Sequence, residues 1–298
     1  MRKKPDGCTV ELILSNQIGY ERIAMACSAS FAKMFDCPPE RIEDLKTVVA
    51  EAAINAMQHG NKYRPDARVI VYMNYGDNAI NVSVLDEGDG INELPPTPDI
   101  ERIMNKLDPP IGFGVFLINQ LSDKVEFNIM TDGGHAVRMA INIGEPLKHS
   151  KNKITQPLRR WFEITALPAA ADCVVGEGAG LEMQHSNEIT LEIHGAVTIM
   201  NIQGDITAFS EPFLNEAYQK ATAQGANNIL LKIAEETYIN SGGIAVLIQI
   251  LAQTKKKNQV IGVTGISDHF KKIFHMVGIT KFAKIHNSLE EALQTMAG

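Results

Sequence analysis

Residues 145 to 186 follow neither the helix-then-strand pattern before them nor the strand and helix alternation after them, so this chain must build two cores rather than one. Pro146, Pro157 and Pro168, a basic cluster from Lys148 to Lys153 and a glycine-rich run from Gly176 to Gly180 mark the stretch as a linker, placed at residues 146–187. Its centre, Arg159-Arg160-Trp161-Phe162, is too apolar for a pure tether and is expected to dock on one of the flanking domains, 1–145 and 188–298. A length of 298 residues with 45% hydrophobic content supplies two cores.

In the first half, Cys8 to Leu14 alternates as a strand, and Ile18 to Phe35 carries apolar residues at helical spacing. A second helix is expected from Glu40, with Glu40, Glu43 and Asp44 favouring its first turns through the helix dipole, to Gly60 as its stop. Two alternating runs, Arg68 to Tyr75 and Ala79 to Leu85, flank Gly76-Asp77-Asn78 and predict a hairpin. Prolines and glycines between Asp86 and Gly114 predict a long mobile segment in which only Ile100 to Leu107 is helical. A helix from Val115 to Leu121 and strands at Lys124 to Thr131 and His135 to Ile143 complete a helix layer on a mixed sheet. The second half alternates strands and helices to its end, which predicts a second α/β unit.

The formal charge of -7 argues against a nucleic-acid partner. Cys8, Cys27, Cys37 and Cys173 lack any paired spacing, and neither a signal segment nor a long apolar run stands out. These features predict a cytoplasmic protein with free thiols and no membrane span.

Chemistry concentrates in three places in the first half. Glu51 and Asn55 stand four apart on the second helix, with His59 four further on, and by itself this is a solvated polar stripe. Then Asp86-Glu87-Gly88-Asp89-Gly90-Ile91 puts an acid at a strand end before glycines that admit close backbone approach. Finally Gly112-Phe113-Gly114 opens a helix, whose free N–H groups suit phosphate.

In this order, E-x-x-x-N, D-x-G-x-G-I and G-x-G resemble the N, G1 and G2 boxes of the GHKL ATPase superfamily, and most closely its anti-sigma-factor serine kinases, over residues 8 to 143. The resemblance implies ATP and Mg²⁺ as cofactors. It gives Asn55 to Mg²⁺, Asp86 to the adenine amino group, Gly88 and Gly90 to backbone approach, Gly112 and Gly114 to the phosphates, and Glu51 to the proton of an attacking serine hydroxyl. Pro109-Pro110 and Gly134-His135-Ala136 depart from the family's usual residues at the lid and near adenine.

The second half carries Ile202-Gln203-Gly204-Asp205-Ile206, Ile239-Asn240-Ser241-Gly242-Gly243-Ile244 and Val277-Gly278-Ile279. These resemble the STAS domain of anti-sigma-factor antagonists, whose acceptor turn reads D-S-S/T-G. Asn240 replaces the acid and Gly242 one hydroxyl, leaving Ser241 as the one candidate phospho-acceptor, or else as a helix N-cap. The resemblance implies an ATP-binding partner-switching regulator acting as a serine/threonine kinase on an antagonist and modulated by its fused STAS domain. A sigma factor, an antagonist protein and the chain's own second domain are the expected partners, a homodimer is possible for the family, and a non-catalytic ATP-dependent scaffold is the alternative.

Overall fold

The computed structural model describes residues 8–88, 94–130, 134–144 and 187–297. Trp161, Cys173, Gly90 and linker residues 146–186 lie outside the described residues.

The first half runs β1 (Thr9–Ser15), α1 (Glu21–Lys33), α2 (Pro39–Asn55), β2 (Arg68–Gly76), β3 (Ala79–Asp86), α3 (Ile100–Met104), α4 (Phe113–Leu121), β4 (Lys124–Ile129) and β5 (His135–Asn142). The strands form one sheet in the order β1-β2-β3-β5-β4, and every pairing is antiparallel where the sequence predicts a mixed sheet. Consecutive strands account for two of these pairings, β2-β3 and β4-β5: β2 and β3 are joined through Asp77 and Asn78, both left-handed with φ of 54° and 58°, the turn that matches strand twist. Alternation sorts the sheet's faces. Val69, Val71 and Met73 meet Leu45, Val48, Ala52 and Met57 in the main core, while Ile70, Leu85 and Ala136 form a small cluster on the opposite face.

Pro39 opens α2 at a position where its missing N–H costs nothing. The helix does not run unbroken to Gly60; its α-helical bonding stops at Asn55 and passes into a π turn, Ala56–Gly60. That extra residue per turn leaves His59 exposed, whereas Glu51 is only 1% exposed, so the expected solvated stripe is a buried one at Glu51. Gly60 is needed for space and not as a left-handed stop, since a Cβ there would run into the Asp86 carboxylate.

The second half runs β6 (Glu188–His194), β7 (Val197–Gln203), α5 (Glu211–Ala223), β8 (Asn228–Ile233), α6 (Ser241–Lys256), β9 (Val260–Thr264), α7 (Asp268–Val277), β10 (Lys284–His286) and α8 (Leu289–Met296). Its sheet order is β10-β9-β8-β7-β6, with the β6-β7 hairpin antiparallel and the rest parallel. Ile229, Leu231 and Ile233 belong to the main core with α5 and α6, and Leu230 on the other face packs with Ala292 and Met296 of α8. Buried on both faces, these strands read as continuous apolar runs.

The two halves touch. Residues 94–114 fall in the segment expected to be mobile, yet α3 is capped by Asp99, which accepts from the N–H groups of Glu101 and Arg102, and it buries Ile100, Ile103 and Met104. Its partner is the second half: Lys281 pairs with Glu101 at 2.8 Å, and Ile100 packs so closely that a Cβ at Gly278 would lie 3.0 Å from its Cγ2. The short helix has an apolar face whose cover comes from far along the chain.

Candidate functional site

The acceptor turn is held by its own strand neighbours before it meets the first half. Ile206 N–H donates to the Tyr238 carbonyl at 2.9 Å and Asn240 N–H to the Ile206 carbonyl at 3.2 Å. Gly243 lies so close to that carbonyl that no side chain fits. Asn240 caps α6, its Oδ1 accepting from Gly243 N–H at 2.9 Å. Ser241 is therefore the first helical residue and not the cap, and its hydroxyl is free to point elsewhere. Replacing Asn240 by Ala is expected to cost about 1 kcal/mol of stability through loss of the cap. A melting curve unmoved by the change contradicts this role.

The Ser241 hydroxyl points at Glu51. It donates to Glu51 Oε2 at 2.6 Å, and the Ser241 N–H donates to Oε1 at 2.8 Å, so one carboxylate grips both the hydroxyl and the backbone of the turn. Glu51 is raised from 4.5 to about 6: burial drives the rise, the two Ser241 hydrogen bonds hold it down, and Glu21 adds a smaller upward push. A carboxylate in that range is better matched to taking a proton near neutral pH than an exposed one.

Gly114, in the first turn of α4, faces this pair. A Cβ on it would lie 2.7 Å from Glu51 Oε2, 3.3 Å from Ser241 Oγ and 3.5 Å from Asn55 Nδ2. Gly112 caps α4 in the left-handed conformation at φ 85°, packed against Pro95 and Pro96. A cavity of about 530 Å³ opens here, lined by Asn55, Gln58, His59, Gly112, Gly114 and Ser241 among others, with Pro110 in its wall. The unpaired N–H groups at the start of α4 and the bare glycines make a cradle suited to phosphate.

Asp86 sits at a separate station and does not line that cavity. Its Oδ1 accepts from Gly88 N–H at 2.9 Å and lies 3.3 Å from His135 Nδ1, with Gly60 pressed against the carboxylate. His135, in the stretch that departs from the family, thus touches the residue assigned to adenine. The structure brings Glu51, Asn55, Gly112, Gly114 and Ser241 together, and it places Asp86 and Gly88 on the far side of Gly60.

Two further groups at the contact, Arg22 and Tyr238, belong to no motif. Arg22 of α1 pairs with Asp205 and lies 5.0 Å over the Tyr238 ring. Burial raises Tyr238 well above its ordinary value, with Glu51 and Glu21 adding to the rise. At Gly242, the second position of the acceptor turn, a Cβ would press on Ala208 at 3.0 Å, so a side chain there requires Ala208 to give by a few tenths of an ångström.

Fold and site together define an ATPase domain of histidine-kinase type joined to a STAS domain. The model of the histidine kinase-like ATPase domain matches residues 15–141, and that of the STAS domain matches residues 188–292. Over 142 residues the chain is 31% identical to the anti-sigma F factor of Thermoanaerobacter sp. (strain X514), covering 45% of this chain and 94% of that one. Over 133 residues it is 26% identical to the anti-sigma F factor of Bacillus velezensis, covering 42% of this chain and 86% of the relative. Among solved structures, an anti-sigma factor antagonist from Mycobacterium paratuberculosis is 21% identical, with a TM-score of 0.34 over 39% of this chain and 97% of that one. The chain belongs to the anti-sigma-factor family of histidine kinase-like ATPases and carries a fused STAS domain. Its first half is an ATP-binding domain. Among the described residues no helix is long and apolar enough to cross a membrane.

Proposed function

We propose that this protein is an ATP-dependent serine kinase of a partner-switching system and that its own second domain presents the acceptor, Ser241. The observation that carries this is the 2.6 Å hydrogen bond from the Ser241 hydroxyl to Glu51, a nucleophile paired with a buried base across two domains. Glu51 takes the hydroxyl proton as Ser241 Oγ bonds to the γ-phosphorus of ATP, the bond to the β-phosphate oxygen breaks, and ADP leaves. Asn55 offers its side-chain oxygen to Mg²⁺, which when bound neutralises phosphate charge. Gly112, Gly114 and the start of α4 hold the phosphates, while Asp86 accepts from the adenine amino group beside Gly88. A linker of about 40 residues keeps the acceptor near the base at an effective concentration in the millimolar range. A sigma factor and separate antagonist proteins are the external partners that the relatives' names suggest. The scaffold alternative gains nothing from a site in which base and nucleophile are already joined.

The test is transfer of labelled phosphate from ATP with Mg²⁺ to Ser241 and to supplied antagonist proteins; failure to bind nucleotide with Mg²⁺ present overturns the reading. The rate is expected to rise with pH up to about 6 and then level, because only ionised Glu51 accepts the proton and acid protonates it. A rate that falls as pH rises through this range contradicts Glu51 as the base.

A further inference from the structure

We infer that a second contact, centred on Asp44 and remote from the transferred phosphoryl group, selects and positions the domain that the kinase phosphorylates. The inference rests on the kinase reading for what is selected, while the contact itself stands on geometry.

Asp44, Thr47, Glu51 and Asn55 follow one another at spacings of three, four and four along α2, so they form one stripe on one helix face. Its C-terminal end is the phosphoryl-transfer site. Two turns back, about 10 Å along the axis, lies Asp44, which is wholly buried. Lys272 of α7 donates to both Asp44 oxygens, at 3.0 and 3.1 Å, and to Glu40 at 3.2 Å. His269, one turn earlier on α7, places Nε2 2.8 Å from Thr47 Oγ1 and Nδ1 3.6 Å from Asp44 Oδ1. The second domain therefore lies along the stripe with two grips, the acceptor turn at one end and α7 at the other.

Charge explains the choice of residue. Within the first half, Arg41 bonds Asp44 at 2.7 Å and also pairs with Asp123, so this corner holds two carboxylates against one guanidinium. Lys272 supplies a second positive charge from the other domain, balancing Asp44 and Asp123 together with Arg41, and it also reaches the exposed Glu40. A buried carboxylate left short of a partner is costly, which turns complementarity at this point into selection. The partner this surface fits is a STAS domain with a cation and a hydrogen-bonding residue one turn apart on the helix after its last long parallel strand. A domain lacking the cation leaves Asp44 buried with only Arg41, which it shares with Asp123, and is selected against however good its acceptor turn.

The test uses the full chain as Lys272→Glu and Lys272→Arg. Three quantities are read: the single-turnover rate of Ser241 phosphorylation, affinity for ATP, and hydrogen exchange at the Ser241 amide. Lys272→Glu is expected to slow phosphorylation roughly ten- to a hundredfold and to speed exchange at that amide by a similar factor, with ATP affinity unchanged. Lys272→Arg is expected to restore both to near wild type, which a general loss of folding would not do. Wild-type amide protection in Lys272→Glu, or an Arg variant as defective as the Glu variant, overturns the inference. A wild-type chain that transfers no phosphate would fail the kinase reading alone, because amide protection still decides the role of Lys272.

Discussion

Replacing Glu51 by Gln is expected to lower Ser241 phosphorylation by a factor of 10² to 10⁴, roughly the contribution of a positioned general base, while nucleotide affinity stays near that of the wild type. Gln retains one side-chain oxygen, so it can still accept from the Ser241 hydroxyl or N–H and keep the domains docked. What it lacks is the basicity to take a proton. Single-turnover rates at saturating ATP, set beside equilibrium titration of nucleotide, separate the two effects. Equal losses of binding and transfer would make Glu51 a structural residue, and an unimpaired rate would remove it from the chemistry.

A comparable loss is expected from the smallest change to the helix that faces this pair. Gly114→Ala places a methyl group 2.7 Å from Glu51 Oε2 and 3.3 Å from Ser241 Oγ, so the carboxylate, the serine or the start of α4 must shift from the present geometry. Misplacement by about 1 Å costs on the order of a hundredfold in rate, so the turnover of Gly114→Ala at saturating ATP should fall by at least that factor. A rate within a few-fold of wild type would mean that Gly114 does not face the reacting atoms. The glycine thus has a meaning beyond an open phosphate cradle, since it also leaves room for the incoming serine.

The local grammar of the chain was readable and the contacts across it were not. The alternating runs around Asp77 and Asn78 predict their hairpin because turn chemistry is local. Glu51 and Asn55 were legible as one helix face, and Gly112 as the start of α4, for the same reason. Asp44 shows where this stops. As an acid in the first turns of a helix it reads as a solvated, dipole-favoured residue, yet it is buried because Arg41 and the distant Lys272 close over it. Glu51 likewise reads as polar surface until Ser241, 190 positions away, takes both of its oxygens. Ser241 itself was ambiguous between cap and acceptor, and the ambiguity ended with Asn240, whose side chain satisfies Gly243 and leaves the serine hydroxyl to Glu51. Helix α3 was legible in the rhythm of Ile100 to Leu107, but its anchoring was not, because the surface that covers Ile100 belongs to the second half.

These contacts give the fusion a physical purpose. A STAS domain that lies along α2 and against α3 covers the ATPase half on the face where Glu51, the cavity and Asp44 meet. Any external protein that needs the same face must displace it, and a phosphoryl group on Ser241 would set two negative groups against each other at Glu51.

The most direct test of this account is the rate at which Ser241 gains phosphate in the intact protein incubated with ATP and Mg²⁺, followed by mass spectrometry with site mapping over a wide range of protein concentration. The account predicts one phosphoryl group, on Ser241, appearing at a rate that does not change with protein concentration, since base and acceptor are already in contact. Absence of phosphate on Ser241, or a rate proportional to protein concentration, would contradict it.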